Sequence, residues 1–271
     1  MIKIPLPDEL QYVREDGAPY LRYTEFNHSP VHRIRLTCII QMLDRAISGG
    51  RGKILEIGCG VGNIAIPIAS LGHDVTACDI HGPSIEEARQ RNCFSNLTFV
   101  HGSIDSVNSG EYDAVILTEV LEHVRKYREM MGLIVRLMKK DATLIITVPN
   151  GCGITELLCR PSYALKKWPG GAAVIKAVKR VLKTADPTTV NFSSPHVNFF
   201  TLQSLDGLFE DCRVEVASFR RFFFLWPLWE TFFSERGYPP DWPERDFLRS
   251  QKLPPPLCAL WAFALKRKSV L

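Results

Sequence analysis

An α/β fold, with a mostly parallel sheet and helices on both faces, is predicted for this 271-residue chain by three observations. From residue 53 onward, short apolar runs alternate with stretches of helical periodicity. The runs are apolar along their length, as strands buried on both faces are, and alternating strand and helix implies right-handed crossovers. At 46% hydrophobic and 23% charged residues, the chain can bury a core and is not a disordered tail. Residues 1–271 are therefore read as one domain.

The elements follow in order. Residues 53–58 (KILEIG), 74–80 (DVTACDI), 97–103 (LTFVHGS), 112–120 (YDAVILTEV) and 142–150 (ATLIITVPN) read as strands. Residues 62–72, 83–94 and 121–140 carry helical spacing between them. A helix is expected over 201–209, with strands at 213–219 and 259–266. The first fifty residues form a cap, whose helix over about 31–47 is expected to lie over the carboxyl edge of the sheet. Two inserts break the rhythm: 151–194, which is basic, and 220–256, which is rich in Phe, Trp and Pro.

Several classes are disfavoured at once. A net charge of +4 is too slight to imply a nucleic-acid partner. The greasiest stretch, 222–233, is short and holds Pro227 and Glu230, so no membrane-spanning helix is expected. The N-terminus lacks the charged-then-apolar order of a secretory signal. None of the eight cysteines forms a CxxC pair, which argues against zinc ribbons and thioredoxin-like chemistry. Free thiols in a reducing, cytoplasmic compartment are the expectation.

The sharpest local signal is Glu56-Ile57-Gly58-Cys59-Gly60-Val61-Gly62-Asn63, which closes the first strand and opens a helix. Glycine at every second position permits a tight turn and a close approach of backbone to ligand. Asp79 ends the second strand, where an acid accepts hydrogen bonds from ribose hydroxyls. A dinucleotide loop wants glycine where Asn63 stands, and Glu56 would repel a diphosphate, so a nicotinamide dehydrogenase is disfavoured. No GxxxxGK[ST] motif is present. An acid-flanked loop suits a phosphate-free adenosyl ligand with cationic groups, and S-adenosylmethionine is such a ligand.

On these residues the chain resembles the class I S-adenosylmethionine-dependent methyltransferases, strongly over about residues 50–150 and loosely elsewhere. The resemblance implies a Rossmann-like seven-stranded sheet whose last strand is antiparallel, with 213–219 and 259–266 forming the closing hairpin. It places Glu56, Gly58, Cys59, Gly60 and Gly62 around the methionine moiety, Asn63 also at the cofactor, and Asp79 with Ile80 at ribose and adenine. Ser103 and Ile104 fall beside the adenine, with Ser103 where the family often has an acid. Thr118 and Glu119 close the fourth strand against the same cofactor.

The fourth strand runs into Glu119-Val120-Leu121-Glu122-His123. If Val120 opens a helix, Glu119, Glu122 and His123 share one face at the carboxyl end of the parallel strands, where ligands bind in open α/β sheets. His196 follows the fifth strand in a segment able to return to that edge. The ExxEH run with a later histidine resembles two groups, the ubiquinone-biosynthesis O-methyltransferases and the metal-dependent small-RNA terminal 2′-O-methyltransferases. That resemblance implies that Glu119, Glu122, His123 and His196 hold a divalent ion (Mg, Mn, Zn or Fe), and that His123, His196 and Glu122 are the catalytic groups. The plainer alternative is that Glu119 caps a helix, Glu122 pairs with Arg125 or Lys126 at the surface, and His123 hydrogen-bonds within the cleft without metal.

Residues 157–185 contain no Asp or Glu and carry +7 of charge, so the rest of the chain is net negative. Val174, Ile175, Val178, Val181 and Leu182 repeat at helical spacing, with Lys176, Lys179, Arg180 and Lys183 opposite. Three uses are open for residues 160–183: a lid helix over the site, contact with an anionic membrane surface as a peripheral protein, or binding of phosphate on an anionic substrate such as a lipid-linked or RNA acceptor. The run from Phe222 to Trp229 suits an interface, a greasy substrate tunnel or core packing. Together these features predict O-methylation of a small-molecule or lipid-linked acceptor that is amphipathic or anionic. The rivals are an RNA 2′-O-methyltransferase and a non-catalytic S-adenosylmethionine-binding partner subunit. No feature specifies an oligomeric state.

Overall fold

The computed structural model describes residues 30–48, 50–107, 110–153, 196–225 and 241–268. Seven strands form one sheet: β1 (Lys53–Ile57), β2 (Asp74–Asp79), β3 (Leu97–His101), β4 (Tyr112–Thr118), β5 (Met138–Pro149), β6 (Val214–Phe222) and β7 (Leu260–Arg267). Their order is β3-β2-β1-β4-β5-β7-β6. β1 to β5 pair in parallel, whereas β7 is antiparallel to both β5 and β6. The Rossmann-like sheet and its closing hairpin are thus as expected.

Side chains two apart on a strand share a face, and the two faces hold separate cores. Ile54, Ala114, Ile116 and Ile145 join one cluster with helices α1 (Pro30–Ile47), α2 (Ala65–Ser70) and α3 (Gly82–Arg91). Leu55, Val115, Leu117, Leu144 and Ile146 face the other way, against α4 (Tyr127–Leu137) and α5 (Leu202–Asp211). α1 shows why its stripe is buried: Leu36, Ile39, Ile40 and Leu43 recur at helical spacing and are all fully covered. It lies on a face of the sheet rather than over the carboxyl edge.

Two further expectations change. The helix foreseen over 121–140 is a 3-10 turn at Leu121–His123, then α4, and β5 begins at Met138 rather than near residue 142. The 220–256 insert supplies the end of β6 and a helix, α6 (Trp242–Ser250). Phe222 and Phe223 are core residues, packed against Phe247 of α6 with ring centroids 5.3 and 6.3 Å away. The remainder of the aromatic run from residue 226, like residues 160–183, lies outside the described residues. No described helix is long and apolar enough to cross a membrane.

Candidate active site

At the carboxyl end of β1 the chain turns sharply. Gly58, Gly60 and Gly62 have φ of +74°, +52° and +84°. At Gly58 a Cβ would stand 2.4 Å from Val120 Cγ2, and at Gly62 2.8 Å from Phe99 Cζ. A side chain there would collide as well as strain the backbone. Gly60 has open space beside it, and its N–H donates to Asp79 Oδ2 at 2.8 Å. The other oxygen of Asp79 accepts from the His81 N–H at 2.8 Å. The carboxylate is therefore fixed at the tip of β2, with Ile80, 77% exposed, next to it. Cys59 is buried, and burial pushes its thiol well above the ordinary range, so it acts as an inert apolar wall. Asn63 follows in the turn, with a buried Oδ1 that has no hydrogen-bond partner.

Glu56 is 1% exposed, and its Oε2 has no hydrogen-bond partner. Burial pushes its carboxyl up to about 8, and the nearby Asp79 adds to the rise. The Ala65 N–H and the Arg35 charge oppose it. A buried carboxyl with one oxygen unsatisfied and a second acid beside it is costly to ionise unless something cationic meets it.

Glu119 departs from the expected arrangement. Its φ is +55°, so it is a left-handed residue between β4 and the 3-10 turn, not the start of a helical face. Its N–H donates to Thr147 O at 3.1 Å, and its Oε1 accepts from Thr147 Oγ1 at 2.9 Å. Its Oε2 is 3.8 Å from Arg35 Nη1. Glu119 thus pairs with Arg35 and Thr147 and is not part of the cluster formed by Glu122 and the two histidines. Arg35 was missed in the sequence. Its only signal was a cation one residue ahead of the apolar stripe of α1.

Glu122, His123 and His196 do come together, each offering a ligand atom within 4.8 Å of the others. Glu122 is fully buried, not paired at the surface, and its Oε1 lies 3.9 Å from His123 Nε2. The two imidazoles meet edge to face, with centroids 5.0 Å apart. The four-residue ligand set therefore divides into this trio and a separate Glu119. Thr118 is buried at the end of β4. Ser103 and Ile104 fall at the tip of β3, where Ser103 Oγ caps a short 3-10 turn by accepting from the Asp105 N–H at 3.3 Å. It also donates to Asp105 Oδ2 at 3.2 Å.

A methyltransferase-domain family model matches residues 31–216, a span that holds the glycine turn, the acidic rim and both histidines. The ubiquinone biosynthesis O-methyltransferase of Rickettsia conorii is 30% identical over 141 residues, 51% of this chain and 45% of that protein. The protein of the same name from Pectobacterium atrosepticum is 27% identical over 190 residues, 65% of this chain and 79% of that one. The chain spans about half the length of the rickettsial relatives it matches. Among solved structures, magnesium protoporphyrin IX methyltransferase of Synechocystis PCC 6803 with bound SAH superposes with a TM-score of 0.53. That superposition is at 16% identity and covers 96% of this chain and 94% of the other. A possible histamine N-methyltransferase from Thermotoga maritima gives 0.54 at 17% identity, over 92% and 94%. At such identities the likeness is one of fold. With the family match covering most of its length and the sheet of the expected order, the chain belongs to the methyltransferase-domain family.

Proposed function

We propose that the protein transfers the methyl group of S-adenosylmethionine to a hydroxyl oxygen of an amphipathic or anionic acceptor, either a small molecule or a lipid-linked compound. The observation that carries this reading is the adjacency, on one rim, of an acid-lined adenosyl site and a pair of imidazoles backed by buried Glu122. Glu56 and Glu119 suit the cofactor ammonium, and Arg35, already 3.8 Å from Glu119, suits its carboxylate. Asp79 would hold the ribose hydroxyls and Ile80 the adenine face. The acceptor hydroxyl gives its proton to His123 or His196. Its oxygen then bonds to the methyl carbon as the carbon–sulfur bond breaks, leaving S-adenosylhomocysteine, and the imidazolium returns the proton to water. Alignment and the electrostatics of the rim supply most of the acceleration.

The names of the curated relatives favour oxygen as the accepting atom. The test is transfer of labelled methyl to a panel of an alkyl-substituted catechol in micelles, an amine and a short RNA. Labelling of the catechol oxygen is expected. Labelling of RNA alone would move the assignment to the rival.

One carboxylate and two imidazoles also fit a divalent cation, Zn, Mn or Fe better than Mg, which prefers an all-oxygen shell. Glu122, His123 and His196 would hold it, and it would act as a Lewis acid towards the acceptor oxygen. Protein dialysed against Zn or Mn should retain about one equivalent, and Glu122→Gln should reduce that about tenfold or more. Equal metal content in both proteins would leave proton transfer to the imidazoles alone.

A further inference from the structure

His196 reaches the rim on a short segment that ends where Thr201 caps α5. That segment is tied to the 3-10 turn at several points. The N–H groups of Val197 and Asn198 both donate to Glu122 O, at 2.8 and 3.0 Å. The side-chain Nδ2 of Asn198 donates to Leu121 O at 2.8 Å and to Val124 O at 2.7 Å. Both partners are carbonyl oxygens, which only accept, so the NH₂ end of the amide must face them and both of its hydrogens are used. Asn198 therefore spans the turn from one end to the other, and His123 lies inside the span. The turn's own backbone bonds are His123 N–H to Val120 O at 3.0 Å and Val124 N–H to Leu121 O at 3.3 Å, and of these only the second lies within the span that Asn198 bridges. On the far side Gly151 N–H donates to Phe200 O at 2.8 Å. A Cβ on Gly151 would meet Phe199 C at 2.4 Å, so the segment is also pressed against the end of β5.

We propose that Asn198 is a positioning residue: its amide locks the His196 segment to the Leu121–Val124 turn and so sets the spacing of His196 and His123. The catalytic consequence rests on the methyl-transfer reading above. The spacing itself does not. A misplacement of either ring by an ångström is enough to cost about a hundredfold in rate when geometry is the main source of catalysis.

Three variants of the full chain test this, Asn198→Ala, Asn198→Asp and Asn198→Ser. Each is read by the NOE between the ring protons of His123 and His196, by affinity for S-adenosylhomocysteine, and by methyl transfer to the alkyl catechol. Alanine should lose the NOE and lower kcat by about tenfold or more, with cofactor affinity changed by less than about twofold. Aspartate has the same shape but no hydrogen to donate, and should be at least as impaired. Serine, which keeps one donor, should fall between. An unchanged NOE and kcat in the alanine variant, or wild-type behaviour in the aspartate variant, would overturn the assignment. If the alanine protein binds no S-adenosylhomocysteine, the serine protein decides by the same NOE: weakening supports the role and full retention refutes it. If wild type methylates no probe, the methyl-transfer reading fails, and the NOE contrast still decides the role of Asn198.

Discussion

Glu56, with a carboxyl held up at about 8 by burial and by Asp79, is mostly protonated in the empty site at pH 7. A cationic ligand favours the anion, so binding should release a proton and affinity should rise as pH climbs from about 6 to 8, levelling beyond. The sign for stability is opposite. The folded carboxyl stays protonated above the unfolded value, so this group's contribution to ligand-free stability declines as pH rises from about 4.5 to 8. Calorimetry of S-adenosylhomocysteine binding in two buffers of different ionisation heat measures the proton directly. Glu56→Gln should abolish the pH slope and weaken binding at pH 8 by about 1.5–3 kcal/mol, the worth of a charge-assisted hydrogen bond. A flat wild-type profile over pH 6–8 would rule out this role for Glu56.

Among the elements, α1 does two things at once. Its buried stripe closes one face of the sheet, and its Arg35 stands over the acidic rim beside Glu119. Arg35→Met keeps the packing volume and removes the charge, and should weaken S-adenosylhomocysteine binding by about 1–3 kcal/mol with little change in melting temperature. Unchanged affinity would remove Arg35 from the cofactor site. The strands were legible because buried parallel strands are continuous apolar runs, and the glycine turn because glycine takes the positive φ of residues 58, 60 and 62 at no steric cost. The turn after β4 was not. A helical spacing such as Glu119, Glu122, His123 is read correctly only if the backbone is helical, and the left-handed Glu119 breaks it. The Arg35–Glu119 and Asn198–Leu121 contacts join residues 84 and 77 positions apart, and no periodicity announces such pairs. Core packing was one of the readings of the aromatic run, and Phe222 and Phe223 meet it through Phe247 of α6, a partner whose residues carry few apolar positions.

At the scale of the whole molecule, the order β3-β2-β1-β4-β5-β7-β6 puts the ends of β1, β2 and β4 side by side, which makes one rim from distant stretches of chain. The basic residues 160–183 have a separate proposed use, contact with anionic lipid. Changing Lys176, Lys179, Arg180 and Lys183 to Glu should abolish flotation with anionic liposomes, and unaltered flotation would refute that contact. The central claim is that the acid-lined rim selects a phosphate-free, positively charged adenosyl donor. Calorimetric titration with S-adenosylhomocysteine, with NAD and ATP as competitors, tests it most directly. The expected result is saturable one-site binding that an excess of either phosphate-bearing nucleotide leaves unchanged. Absence of S-adenosylhomocysteine binding, or its displacement by NAD or ATP, would contradict the claim.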